Sequence, residues 1–140
     1  MIQVIAGNKG SGKTKRLIDM ANESLKNEHG ITVFIDDDKR YMYDLHHDVR
    51  FVDMSEFAPV KGSTADAFFG FLCGMIASNF DLSIVYIDAL MKICKKTPLA
   101  DMQNFFENLN VLSETHSVNF VISISSGLEV LPEFVKPYVI

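Results

Sequence analysis

The chain has 140 residues, 48% hydrophobic and 22% charged, which fits one domain with a real core and argues against disorder. A formal charge of −5 speaks against a broad basic surface for capturing nucleic acid or anionic membrane. Cys73 and Cys94 lie far apart with no CxxC or Cys/His spacing, a usage that fits reduced thiols and not a structural zinc.

Ile2-Gln3-Val4-Ile5-Ala6 is a short β-prone run. Gly7 to Thr14 then read Gly-Asn-Lys-Gly-Ser-Gly-Lys-Thr, a full match to G-x-x-x-x-G-K-[ST], the Walker A pattern. Each position has a mechanical reason. Gly7, Gly10 and Gly12 clear side chains from places where backbone N–H groups must approach phosphate oxygens or φ must be positive. Asn8, Lys9 and Ser11 complete the loop, Lys13 brings an ammonium to the β- and γ-phosphates, and Thr14 offers a hydroxyl to Mg²⁺. Leu17, Ile18, Ala21 and Leu25 follow at helical spacing with Gly30 placed as a stop. Strand, glycine loop and helix is the context the motif requires.

Ile31 to Ile35 is a second buried strand, ending in Asp36-Asp37-Asp38, and Val49 to Asp53 reads as an extra or edge strand. Ser63 is placed to cap a helix over 64–79, with Asp66 at its N3 position. No residue between Ala67 and Phe80 is charged, yet so short a run cannot span a bilayer as a helix. Phe68-Phe69-Gly70-Phe71-Leu72 is apolar all round, which fits a core helix or a subunit interface.

Leu82 to Ile87 is a continuous apolar run ending in Asp88, in the manner of Walker B. In a parallel sheet that carboxylate emerges at the edge where open α/β folds bind ligands, which makes Asp88 the second Mg²⁺ candidate. The next residue is Ala89, where many ATPases carry a glutamate that activates water. Thr97-Pro98 reads as a helix start, followed by an apolar face from Leu99 to Leu112. Asn119 to Ile124 is another strand, and Tyr138-Val139-Ile140 has the composition of a last one. The expected fold is α/β, a three-layer sandwich with a mostly parallel central sheet, in a single nucleotide-binding domain over residues 1–140. A first strand starting at Ile2 leaves no room for a signal peptide, so the expected location is the cytoplasm.

Phe34-Ile35-Asp36-Asp37-Asp38 resembles the segment of RecA-type ATPases in which the strand after the loop helix ends in an acidic cluster. The likeness continues through Leu82 to Leu90, similar to that family's Walker B strand, and through Phe120 to Ser126, placed like its strand with a polar γ-phosphate sensor. The resemblance implies a P-loop ATPase of RecA-like architecture with ATP and Mg²⁺. By that mapping Asp38 is the general base, Lys13 the phosphate-binding catalytic lysine, and Ser125 or Ser126 the sensor. It also implies that an arginine or lysine from an adjacent subunit or partner protein can assist hydrolysis. Arg40, Arg50, Lys92, Lys95 and Lys96 are the candidates in a homo-oligomer. The family's DNA-binding loops are absent, so no nucleic-acid partner is implied.

Two other readings stay open at this point. A small-molecule kinase uses the same loop, although only Arg16, Arg40 and Arg50 are available to clamp substrates. A regulatory module that binds ATP without turnover is consistent with Ala89. A GTPase is disfavoured because no [NT]-K-x-D base reader appears. His46-His47-Asp48 offers metal-binding side chains, but neighbouring histidines without a spaced third ligand more often lie in exposed loops.

Overall fold

Five short strands carry the chain from one layer to the next: β1 (Ile2–Gly7), β2 (Ile31–Asp36), β3 (Arg50–Asp53), β4 (Leu82–Ile87) and β5 (Asn119–Ser125). The structure, a computed structural model, describes residues 1–27 and 29–140. All the strand pairs are parallel, in the order β1-β5-β4-β2-β3. The interior strands are buried on both faces, which is why β2, β4 and β5 read as near-continuous apolar runs instead of alternating ones.

The direction of travel decides the layers. From β1 the chain passes α1 (Lys13–Ser24) and steps over β5 and β4 to reach β2. It later returns toward β1 through α2 (Ala65–Ser78) and α4 (Gln103–His116). Parallel crossovers are right-handed, so reversing direction moves the helices to the opposite face. Two apolar clusters match this. Leu17, Ile18 and Ala21 of α1 cover Ile5, Phe34, Tyr86 and Val121. Phe68, Leu72, Phe105, Phe106 and Leu109 of α2 and α4 cover Val4, Val33, Ile35, Val85 and Ile87. Phe68 is thus a core residue, stacked on Phe105 at 6.3 Å. No α-helix joins β2 to β3; Leu45 and Val49 from that loop fill the α1 side instead.

Several local expectations shift. Val49 to Asp53 becomes the parallel edge strand β3, while Val139 makes only an isolated bridge to Val4, too short for a sixth strand. Gly30 does not stop α1, which ends at Ser24. It is glycine because a Cβ there would collide with the Asp81 carbonyl and the Ser83 hydroxyl. The cap of α2 is Thr64, one residue after Ser63, accepting the Ala67 N–H at 3.2 Å. Thr97 caps no helix of its own: its hydroxyl accepts the N–H of Ala65 at 2.9 Å, so it also secures the start of α2. Among the described residues no helix is long and apolar enough to cross a membrane.

Candidate nucleotide site

The switch in crossover direction opens a crevice at the carboxyl ends of β1, β5 and β4, the place where open α/β sheets bind ligands. A cavity of about 900 Å³ lies there. Among its lining residues are Lys9, Gly10, Gly12, Lys13, Thr14, Asp36, Asp37, Arg40, Asp88, Lys92, Ser123 and Ser125.

The glycine loop forms its floor. Gly10 and Gly12 have φ of 85° and 84°, left-handed values at which a side chain would be strained. At Gly7 the reason is space, since an added Cβ would lie 2.5 Å from the Ser11 hydroxyl. Gly12 is the N-cap of α1 and supplies no side chain to cap it, and no acidic residue occupies the first turn. The opening N–H groups of α1, with the positive end of its dipole, are therefore left for an anion. Asn8, Lys9 and Ser11 are exposed on the loop, and Ser11 N–H donates to the Asn8 carbonyl at 3.1 Å. Lys13 folds back onto that same carbonyl at 3.0 Å.

Thr14 and Asp88 meet across the crevice. The Thr14 hydroxyl donates to Asp88 Oδ2 at 2.9 Å, and the Ser123 hydroxyl donates to Asp88 Oδ1. Asp88 is 6% exposed and begins a sharp departure from β4, because Ala89 adopts a left-handed φ of 58° before the short helix α3 (Leu90–Ile93). A non-glycine residue held there stores local strain, a common feature of functional sites.

The acidic cluster divides into three environments. Asp36 is 2% exposed, its Oδ1 accepts the Asp37 N–H at 2.7 Å, and its Oδ2 has no partner. Burial first, then a side-chain hydrogen bond with the Asp37 carboxyl and the charge of Asp88, push its carboxyl up to about 8, against the lowering pull of the Asp37 backbone N–H. Asp37 faces the cavity with Lys92 at 4.0 Å. Asp38 is not among the lining residues. Its carboxylate accepts from the Arg40 backbone N–H at 2.9 Å and the Arg40 guanidinium at 3.0 Å, and these bonds hold it below the usual carboxylate range.

Asp36 and Ser123 were the residues least visible in the sequence. Asp36 looked like one member of an undifferentiated run, and Ser123 like a small residue inside an apolar strand. The signal for Ser123 was parity: it follows Val121 on the α1 face, two residues nearer the carboxyl edge. Ser125 lines the cavity, whereas the Ser126 N–H is tied to the Gly7 carbonyl at 3.0 Å. Arg40 and Lys92 border this chain's own cavity. The histidine loop is a poor metal centre. His46, His47 and Asp48 are exposed and bring ligand atoms within 4.8 Å of one another, but His46 and His47 stack on each other at 4.3 Å and His46 Nδ1 already accepts the Asp48 N–H at 3.1 Å. Cys94 is buried, which pushes its thiol up to about 12, and neither cysteine is in a disulfide.

No family model matches the chain, and no curated protein matches it significantly. Among solved structures it is similar to the flagellar accessory protein FlaH from Methanocaldococcus jannaschii, with a TM-score of 0.57 and 12% identity over 97% of this chain. The chain spans 65% of that neighbour's length. Likeness at this identity speaks for the fold alone. With the all-parallel five-stranded sheet, it shows an α/β architecture with helices on both faces of the sheet.

Proposed function

We propose that residues 1–140 form one nucleotide-binding domain that binds ATP with Mg²⁺ and hydrolyses it slowly. The observation that carries this reading is the Thr14–Asp88 hydrogen bond, which joins the glycine loop to the end of β4 at the mouth of one cavity. The donors fit a hard cation: Thr14, Asp88 and Asp36 offer oxygen only, and the unpartnered Asp36 Oδ2 is a buried acceptor awaiting a positive partner. These three residues would hold Mg²⁺, which when bound supplies charge neutralisation on the β- and γ-phosphates.

The chain's own residues account for the rest. The opening N–H groups of α1 and the glycine loop bind phosphate oxygens, and Lys13 joins them by leaving the Asn8 carbonyl. Lys92 and Arg40 add positive charge from the same chain. The base role first given to Asp38 passes to Asp37, because Asp38 is taken up by Arg40 while Asp37 faces the cavity. Asp37 accepts a proton from the attacking water, and the short reach of an aspartate keeps that step slow. ATP is favoured over GTP because the chain carries no [NT]-K-x-D segment. The pairing of Asp38 with Arg40, together with Ala89 after Asp88, favours one second reading: a module that binds ATP and reports its state to a protein partner.

Calorimetric titration with Mg·ATP tests the site. Lys13→Ala should weaken binding by at least about tenfold, the scale of a lost charge-assisted contact; unchanged affinity would refute the nucleotide reading. Phosphate release then separates the carboxylates. Turnover should be lost in Asp37→Asn and kept in Asp38→Asn, and the opposite result would return the base role to Asp38. No release from the wild type, despite tight binding, would select the module.

A further inference from the structure

Ser123 lies in the middle of the polar network, between Asp88 and Ala89. It is 2% exposed on β5, paired in register with Ile5, and its chain neighbours Ile122 and Ile124 belong to the opposite apolar cluster. A bare hydroxyl at such a place needs partners. It has two: it accepts the Ala89 N–H at 3.3 Å and donates to Asp88 Oδ1. Asp88 is therefore held from both ends, Oδ1 by Ser123 and Oδ2 by Thr14.

The two contacts are not equivalent. Thr14 sits on the loop helix and can turn its hydroxyl toward a ligand, whereas Ser123 is fixed in the sheet interior. With Oδ1 held, Asp88 has one oxygen to offer. That limit discriminates between cations. Mg²⁺ takes six ligands in a strict octahedron and uses single carboxylate oxygens, whereas Ca²⁺ takes six to eight and readily uses both oxygens of one carboxylate. We propose that Ser123 is a positioning residue that holds Asp88 as a one-oxygen partner and thereby gives the site a preference for Mg²⁺ over Ca²⁺. This rests on the nucleotide reading above.

The test is ATP affinity measured by calorimetry over a range of MgCl₂ and, separately, CaCl₂ concentrations. In the wild type less Mg²⁺ than Ca²⁺ should be needed for half-maximal binding. Ser123→Ala should raise the Mg²⁺ requirement by about tenfold or more, the usual effect of removing a residue that orients a metal ligand. The Ca²⁺ requirement should rise less, so the preference narrows. Ser123→Thr keeps the hydroxyl and should keep the preference. A folded Ser123→Ala protein in which both requirements are unchanged, or rise by one common factor, overturns the proposal. If circular dichroism shows that Ser123→Ala does not fold, Ser123→Cys, similar in size and a weak donor, must show the same narrowing. Wild-type ATP binding that needs neither cation overturns this inference alone. No ATP binding at all removes the nucleotide reading, and this inference with it.

Discussion

At the scale of single residues, Asp36 shows how one aspartate in a run of three differs from its neighbours. Burial, Asp37 and Asp88 raise its carboxyl from 3.8 to about 8. Between those values the native state keeps a proton that the unfolded chain has released, so stability falls as pH rises through that window. Below it both states are protonated, and above about 8 the loss is complete. Compared with Asp36→Asn, which cannot titrate, the wild type should lose at most about 1.4 kcal/mol of stability per pH unit across the window. Urea unfolding of both proteins from pH 5 to 8.5, without nucleotide or Mg²⁺, measures this. Parallel curves would mean that Asp36 ionises normally in the folded protein. The buried Oδ2 makes the same point in structural terms, since a neutral carboxyl tolerates that position better than an unpaired charge.

At the scale of elements, what the sequence made legible was local and what it hid was long-range. The glycine loop could be read because its constraints lie within eight consecutive positions: positive φ at Gly10 and Gly12, crowding at Gly7, and Lys13 and Thr14 opening α1. The strands could be read because burial on both faces leaves continuous apolar runs. Partners distant in sequence could not be read. Thr97 has the pattern of a helix cap, but its hydroxyl goes to Ala65, 32 positions away. Gly30 has the pattern of a helix stop, but Asp81 and Ser83 of the neighbouring strand's approach decide its identity. The resemblance singled out Asp38, and the different surroundings of Asp36, Asp37 and Asp38 were hidden for the same cause. The end of β2 buries the first, turns the second to the cavity and leaves the third to Arg40.

At the scale of the whole molecule, the strand order has an energetic consequence. The cavity is lined by residues at or just beyond the carboxyl ends of β1, β2, β4 and β5, four strand ends drawn from distant parts of the chain. The unfolded chain cannot present these groups together, so a nucleotide held there binds the native state alone and stabilises it by mass action. At free Mg·ATP a hundred times its dissociation constant, the gain is about 2.7 kcal/mol. For a chain of this length that corresponds to a rise in Tm of roughly 5–10 °C. Differential scanning fluorimetry should show this rise for the wild type and little of it for Lys13→Ala at the same ligand concentration. Mg²⁺ must matter as well, because Asp37 and Asp88 bring carboxylates to the same crevice that receives the phosphates. Without a cation between them, like charges oppose the complex. ATP with excess chelator should therefore raise Tm much less than Mg·ATP. An equal rise under both conditions would place the phosphates away from the acidic edge, on the glycine loop alone.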